Sequence, residues 1–440
     1  MTAVIKHLRI NFVQLPYPAA EHSLNWTFGT SIKKLGPDFY SKIVTNHLML
    51  NLEYSILCTQ LRHSFSFPEQ ISRDQVIEQL TAALMLAELL EHVYLRYLIV
   101  PREAARLRRH QEVYRSLLTD MGEYSFTPQP IACINVGLSL SQKVREETAL
   151  LNWVRLLLTR MKRVLNLLDK VGTGSETYRR FVGLLDKYTN PFFAYMTWCF
   201  FLPRFLTNLI VISKHTPAWP WMEDEEKELD WWTRLVAQLK RRWFDLGNDS
   251  VWITIGLLNC FVFVGVWAPV AVYASLFAFA FDVVNCSVRA YIELNRIVKL
   301  QDEYRQLLQQ EQNPENIKAI KDYQHFITLR LEYEKMRLGL AVANQMAVFT
   351  VMCFAIPLLV TNPVIPLIGA LLLIAIWVVC YSLTQFVETY RPNDTVEKPS
   401  NIATLGFFAA KPKEASALPT QQKSTPEEDY SELKEYSFCF

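Results

Sequence analysis

Residues 338–387 run for fifty positions without a single Asp, Glu, Lys or Arg, from Leu338 to Val387. About 20 apolar residues cross the hydrocarbon core of a bilayer, so this stretch holds two spans and a tight turn. Thr361-Asn362-Pro363 interrupts the apolar run near its middle, and proline disfavours helix at the residue before it. The break is expected at Asn362, which makes the segment a transmembrane helical hairpin. A water-soluble helix of this length would need a charged face, and none is present. The chain reads as an all-α integral membrane protein.

A first membrane region precedes that hairpin, over 191–281. Val251–Phe281 carries no charge for thirty-one residues and has Trp267-Ala268-Pro269 near its middle. It is read as one tilted or kinked helix, with two short re-entrant halves as the alternative. Pro191–Ile212 is apolar apart from Arg204 and the Thr207-Asn208 pair. An arginine at mid-span costs about 2.5 kcal/mol or more, so snorkelling to an interface is the expected fate of Arg204. A functional partner inside the membrane is the sharper alternative. With 338–387 this gives about four spans and puts both termini on one side, the cytoplasm. The segment 213–250, with Trp219, Trp221, Trp231 and Trp232, then faces the other way. Lys240-Arg241-Arg242 fits that orientation poorly, because basic residues beside a span prefer the cytoplasm.

The remaining chain is helical and hydrophilic. Between the spans, 282–337 offers Ile297, Leu300, Tyr304 and Leu307 on one arm and Ile320, Tyr323, Ile327 and Leu331 on the other, around an Asn313-Pro314 turn. These predict a coiled-coil-like hairpin projecting roughly 35 Å from the membrane. The N-terminal domain, 1–190, contains a long periodic helix from Ser139. Its Leu151, Val154, Leu158, Met161, Leu165 and Leu168 form a seam, set among basic residues. That seam packs either on sister helices or on a protein partner. Ser72-x-x-Gln75 is a capping box opening a helix that Pro101 interrupts. Glu88, Glu91 and His92 share a face there and are read as satisfied pairs rather than an acid–base site.

Several function classes lack material. A net charge of +2 gives no nucleic-acid footprint, and 13 glycines leave little for phosphate loops. Eight scattered cysteines and eight histidines match no metal-ligand or disulfide spacing. Nucleophile elbows, Walker loops and dinucleotide fingerprints are absent. No catalytic, cofactor or metal site is expected. Lys6, His7 and Arg9 break any apolar run at the start, so no cleavable signal is expected.

After Tyr390 the composition turns to Pro, Lys, Ser, Thr and Gln, which predicts a disordered tail over 388–440. Its end carries Glu427, Glu428, Glu432 and Glu435, with Phe438 close to the terminus. This block resembles the C-terminal translocation signals of Dot/Icm type IV effectors from Legionella- and Coxiella-like bacteria. The resemblance covers about 17 residues and implies delivery to a host organelle membrane. Without delivery, the bacterial inner membrane is the expected address. A solvated acidic end is the plainer reading of the same residues.

The expected function is a non-enzymatic, membrane-anchored interaction protein, its partners the lipid bilayer and a protein held through the helical seams. The alternative is an oligomeric transporter or channel component, with Arg204, Asn208, Asn259, Asn344 and Gln345 on a polar path.

Overall fold

The computed structural model describes residues 2–12, 36–122, 175–222, 224–356 and 364–398, with scattered positions between 143 and 165. Regular structure among the described residues is entirely helical. The N-terminal domain comprises α1 (Ala3–Phe12), α2 (Pro37–Ser66), α3 (Arg73–His92) and α4 (Pro101–Asp120). Ser72 and Gln75 close the expected capping box at the start of α3. Every residue of α3 from Gln79 to Leu90 is buried, the mark of a helix covered on all sides. Pro101 begins α4 after a break in which Ile99 takes a φ of 50°.

Two long helices, α8 (Ala268–Gln310) and α9 (Pro314–Met352), pair antiparallel around the Asn313 turn. Asn313 caps α9 by accepting from the Glu315 backbone at 3.0 Å. The Tyr304 and Tyr323 rings meet across the arms at 4.8 Å, and Gln301 donates to Thr328 at 3.2 Å. The seam expected to pair only with itself is buried in the same apolar core as α2, α3 and α4. Tyr323 donates its hydroxyl to the Glu53 carbonyl of α2 at 3.1 Å. One face of the hairpin is thus packed against the N-terminal domain, while the opposite face stays exposed. Both tyrosines are large amphipathic faces, and a self-paired two-helix stalk would leave them wet.

Among the described residues, three helices are long and apolar enough to cross a membrane: Gly265–Gln310, Pro314–Ala355 and Ile368–Thr389. The last lies in α10 (Val364–Thr389), which returns alongside α9. Tyr333 bonds Glu388 at 3.1 Å at one end, while Gly369 faces Phe354 at the other. The Thr361-Asn362-Pro363 break falls outside the described residues. The 191–212 interval sits inside α5 (Glu176–His215), one continuous helix that is not among the three.

The 251–281 block is not one helix. α7 (Trp231–Phe261) stops, a turn at Gly265–Trp267 follows, and α8 departs in the reverse direction. Gly265 adopts a φ of 61°, and Pro269 sits in the first turn of α8. A positive φ suits glycine, and proline belongs at a helix start. Each arm of this hairpin is apolar only beyond Asp249 and Asp282.

The segment 213–250 faces the N-terminal domain, contrary to the expected orientation. A short helix, α6 (Asp224–Glu228), joins α5 to α7. Arg241 donates to the Leu98 carbonyl at 3.2 Å and Lys240 to that of Thr45 at 3.4 Å. The basic triplet that conflicted with the sequence reading thus lies on the N-terminal domain's side.

Residues 391–398 also depart from expectation. Rather than beginning a disordered tail, they strap across the N-terminal domain, with Val396 only 4% exposed. Ser55 donates to Asp394 at 2.9 Å, and Lys398 pairs with Asp120 at 2.8 Å. Val396→Asp is expected to lower the stability of the full chain by about 2–4 kcal/mol, through an unpaired buried carboxylate. Thermal unfolding of the purified protein measures this. Truncation after Lys398 is expected to leave the midpoint unchanged.

Candidate functional site: buried charges in two helical junctions

Arg204 is paired within the protein. It points from α5 into α7, where its Nε donates to both oxygens of Asp249 at 2.9 and 3.0 Å and its Nη2 joins Oδ1. Asp249 is fully buried. A bidentate guanidinium–carboxylate pair has the geometry that best offsets desolvation. Asp282 of α8 completes the junction, accepting from the Trp252 indole at 3.1 Å to each oxygen. With its amide oriented to satisfy both neighbours, Asn248 donates to Asp282 at 2.8 Å and accepts from Arg204 at 3.3 Å. Five side chains on three helices thus form one network. Next to it α5 and α7 touch closely, because a Cβ at Gly256 would meet Trp198 at 2.8 Å.

The other intramembrane polar residues do not converge on this network. Asn259 donates to Ser275 at 3.1 Å, ten residues or about 15 Å further along α7. Asn344 is buried in α9 with its Oδ1 unbonded among the described residues, and its neighbour Gln345 is half-buried. Asn208 is buried on α5.

The second junction fastens α1 to the stalk. His7 lies 2.7 Å from Glu53 of α2 through Nδ1 and 2.8 Å from Glu303 of α8 through Nε2. Its ring stacks on Tyr304 at 4.7 Å. Lys6 pairs with Glu311, and Lys299 approaches Glu303 at 3.8 Å. Burial disfavours the imidazolium, but the carboxylates of Glu53 and Glu303 outweigh it, and His7 is raised above its ordinary 6.5. Burial likewise raises Glu53, with His7 opposing.

Between α2 and α4, the Tyr54 hydroxyl lies 2.8 Å from His110 Nδ1 and 3.0 Å from that of Tyr114, which lies 3.2 Å from Cys58 Sγ. Burial, assisted by Arg106, lowers His110 to about 4. Burial pushes the Cys58 thiol up to about 12. A neutral imidazole beside an un-ionised thiol makes a packing cluster rather than a nucleophile–base pair. Glu88 and Glu91 are paired as expected, with Arg115 at 2.6 Å and Arg108 at 2.5 Å. Among the described residues no group of three His, Cys, Asp or Glu could hold a metal ion.

The seam helix lies elsewhere. Leu151, Val154, Leu158 and Met161 are between 37% and 55% exposed on helical backbone. Among the described residues no helix covers them. Leu165 is half-buried, and its carbonyl accepts from Tyr178 of α5 at 2.9 Å. Leu168 falls outside the described residues, as do Glu427, Glu428, Glu432, Glu435 and Phe438. Asp249 and Asp282 were missed by the sequence reading, although they flank the uncharged block and any hairpin reading pairs them.

Compared with known protein families, curated proteins and solved structures, the chain matches none.

Arg204→Met is expected to cost about 3–5 kcal/mol, because it strands Asp249 in the interior. The double variant Arg204→Met/Asp249→Leu is expected to recover most of that loss. Denaturation in native-like discs reads both. For His7, a raised value means that its stabilisation is complete below pH 6.5 and lost as pH rises through the higher value. The ionisation of Glu53 acts in the same direction. The protection factor of α1, its amide exchange corrected for the intrinsic base-catalysed rate, should fall as pH rises above 6.5, and His7→Lys should flatten that dependence.

Proposed function

We propose that this chain is a non-enzymatic interaction scaffold anchored by a multi-pass helical membrane region. The observation that carries the reading is the exposed apolar seam of Leu151, Val154, Leu158 and Met161. It joins α5 near Tyr178, while the other end of α5 is tied to α6 through His215 and Glu226, and α6 approaches the N-terminal domain where Glu225 lies 4.0 Å from Arg96. Thirty-seven helical residues separate those points, about 55 Å. The seam is thus held far from the N-terminal domain, on a rigid arm, and is free to take a partner helix. Basic residues around it favour an acidic partner.

The transporter alternative receives less support. Arg204 and Asn259 serve separate helix contacts, and intramembrane amides commonly do no more than join helices. The fourth apolar arm of the anchor is the end of α7 beyond Asp249, antiparallel to α8, and α5 packs beside it through Arg204. Delivery by a type IV apparatus is the further part of the proposal, motivated by the Glu427–Phe438 resemblance.

Photocrosslinkers placed at Leu151 and Leu158 of the full chain, in its native membrane, are expected to yield a discrete protein adduct. Val154→Glu is expected to abolish it. Absence of any adduct, together with ion flux from reconstituted liposomes, would transfer the reading to the transporter. Delivery is tested separately, with a form ending at Lys398, which keeps the strap and removes only the tail.

A further inference from the structure

We infer that Lys240, Arg241, Arg296 and His47 form a phosphate site for an anionic lipid headgroup, where the apolar helices meet the N-terminal domain. Arg296 of α8 is half-buried, yet it makes no hydrogen bond or ion pair among the described residues. Glu293, three residues away on the same helix, is already shared by Arg289 at 2.8 Å and Arg337 at 3.2 Å. A half-buried guanidinium without an acceptor of its own carries a cost that a bound anion removes.

His47 of α2 also has polar capacity to spare. The residue is 1% exposed, and its Nδ1 donates to the Val44 carbonyl at 2.6 Å. Its Nε2 is buried with no partner among the described residues. Burial lowers His47 to about 4, the Val44 bond opposes, and the charges of Arg241, Arg296 and Lys240 lower it further. Three cations thus act on one ring with an unsatisfied nitrogen. An anion among them turns the ring into an imidazolium, whose Nε2–H can donate to a phosphate oxygen. Lys240 is exposed and spends one of its three N–H donors on the Thr45 carbonyl at 3.4 Å. Arg241 is fixed by the Leu98 carbonyl at 3.2 Å.

Position and charge select a lipid. Arg337 is the last charge before the uncharged run 338–387, and its bond to Glu293 marks that level on α8. Arg296 lies three residues, about 4.5 Å, further toward the N-terminal domain. On α7, Phe244 sits under the Arg289 guanidinium at 4.8 Å, and Lys240 follows one turn later in the same direction. The Tyr333–Glu388 bond brings the end of α10 to this layer as well. Across the surrounding segments, 38–53, 93–103, 234–245, 289–300 and 330–337, thirteen Lys and Arg stand against seven Asp and Glu. A basic layer beside membrane spans attracts anionic headgroups.

The inference rests on the membrane-anchored reading, so the test separates the two. The full chain with isotope-labelled histidine is placed in phosphatidylcholine discs, with or without phosphatidic acid, and the ring spectra are followed with pH. With phosphatidic acid, His47 is expected to hold its proton about ten-fold more tightly. Arg296→Gln and Lys240→Gln, each checked for unchanged helicity, are expected to erase most of that difference. A difference that survives in both variants overturns the site. An equal effect from inorganic phosphate in plain choline discs overturns the lipid source. No change at His47, with 338–387 still protected from protease, overturns the inference and leaves the anchor intact. Loss of that protection overturns the anchor, and the inference with it.

Discussion

Everything in this molecule turns on where the Tyr304–Tyr323 pair is buried. Two helices that begin in the apolar region continue without interruption along the N-terminal domain, and their seam becomes part of that domain's core. Full burial of a tyrosine requires a large apolar surround. α2 supplies part of that surround through Glu53, and α1 adds to it through His7. The N-terminal domain and the stalk therefore share one continuous core, and tertiary packing decides what the helices alone would leave open.

Charge pairing sets the second constraint. A lone carboxylate or guanidinium in an apolar helical layer carries a desolvation penalty of several kcal/mol. Arg204 and Asp249 remove two such penalties at once, and Trp252 with Asn248 covers Asp282. The network locks α5, α7 and α8 in one register, since sliding any helix by a residue would separate charge from countercharge. Gly256 tightens the same contact by letting Trp198 approach the α7 backbone. Specificity of register is the use of buried ion pairs that their energetics best support.

Much of this was legible in the sequence, for identifiable reasons. The fifty uncharged residues, the capping box at Ser72 and the break at Pro101 are local signals, and they appear in the structure as helices and breaks where the residues imply. The seam positions from Ile297 to Leu331 were also readable as buried. Their partner was not, because a heptad-like pattern specifies a face without naming what covers it. The tail misled for a similar reason. Residues 391–398 have the composition of a flexible segment, yet Val396 is buried, and Asp394 and Lys398 find partners across more than 270 residues of chain. The 251–281 block was ambiguous by length alone. Gly265 was the residue that could have decided it, because glycine beside Pro269 suits a reversal better than a tilted helix.

The same connections link the sites mechanically. α8 carries Tyr304 and Glu303 at one end and Asp282 further along, within a single uninterrupted helix. α7 carries Arg241 against Leu98 and, eight residues on, Asp249 against Arg204. A displacement of the N-terminal domain must therefore move helices whose buried charges tolerate little movement. Interfaces of this kind shift between discrete packings rather than deform continuously. Release of α1 from the stalk would leave Glu53 and Glu303 without their shared imidazole, near the Asn313 end of the hairpin. The ionic junction would resist the motion that follows, and the seam helix at the far end of α5 would report it.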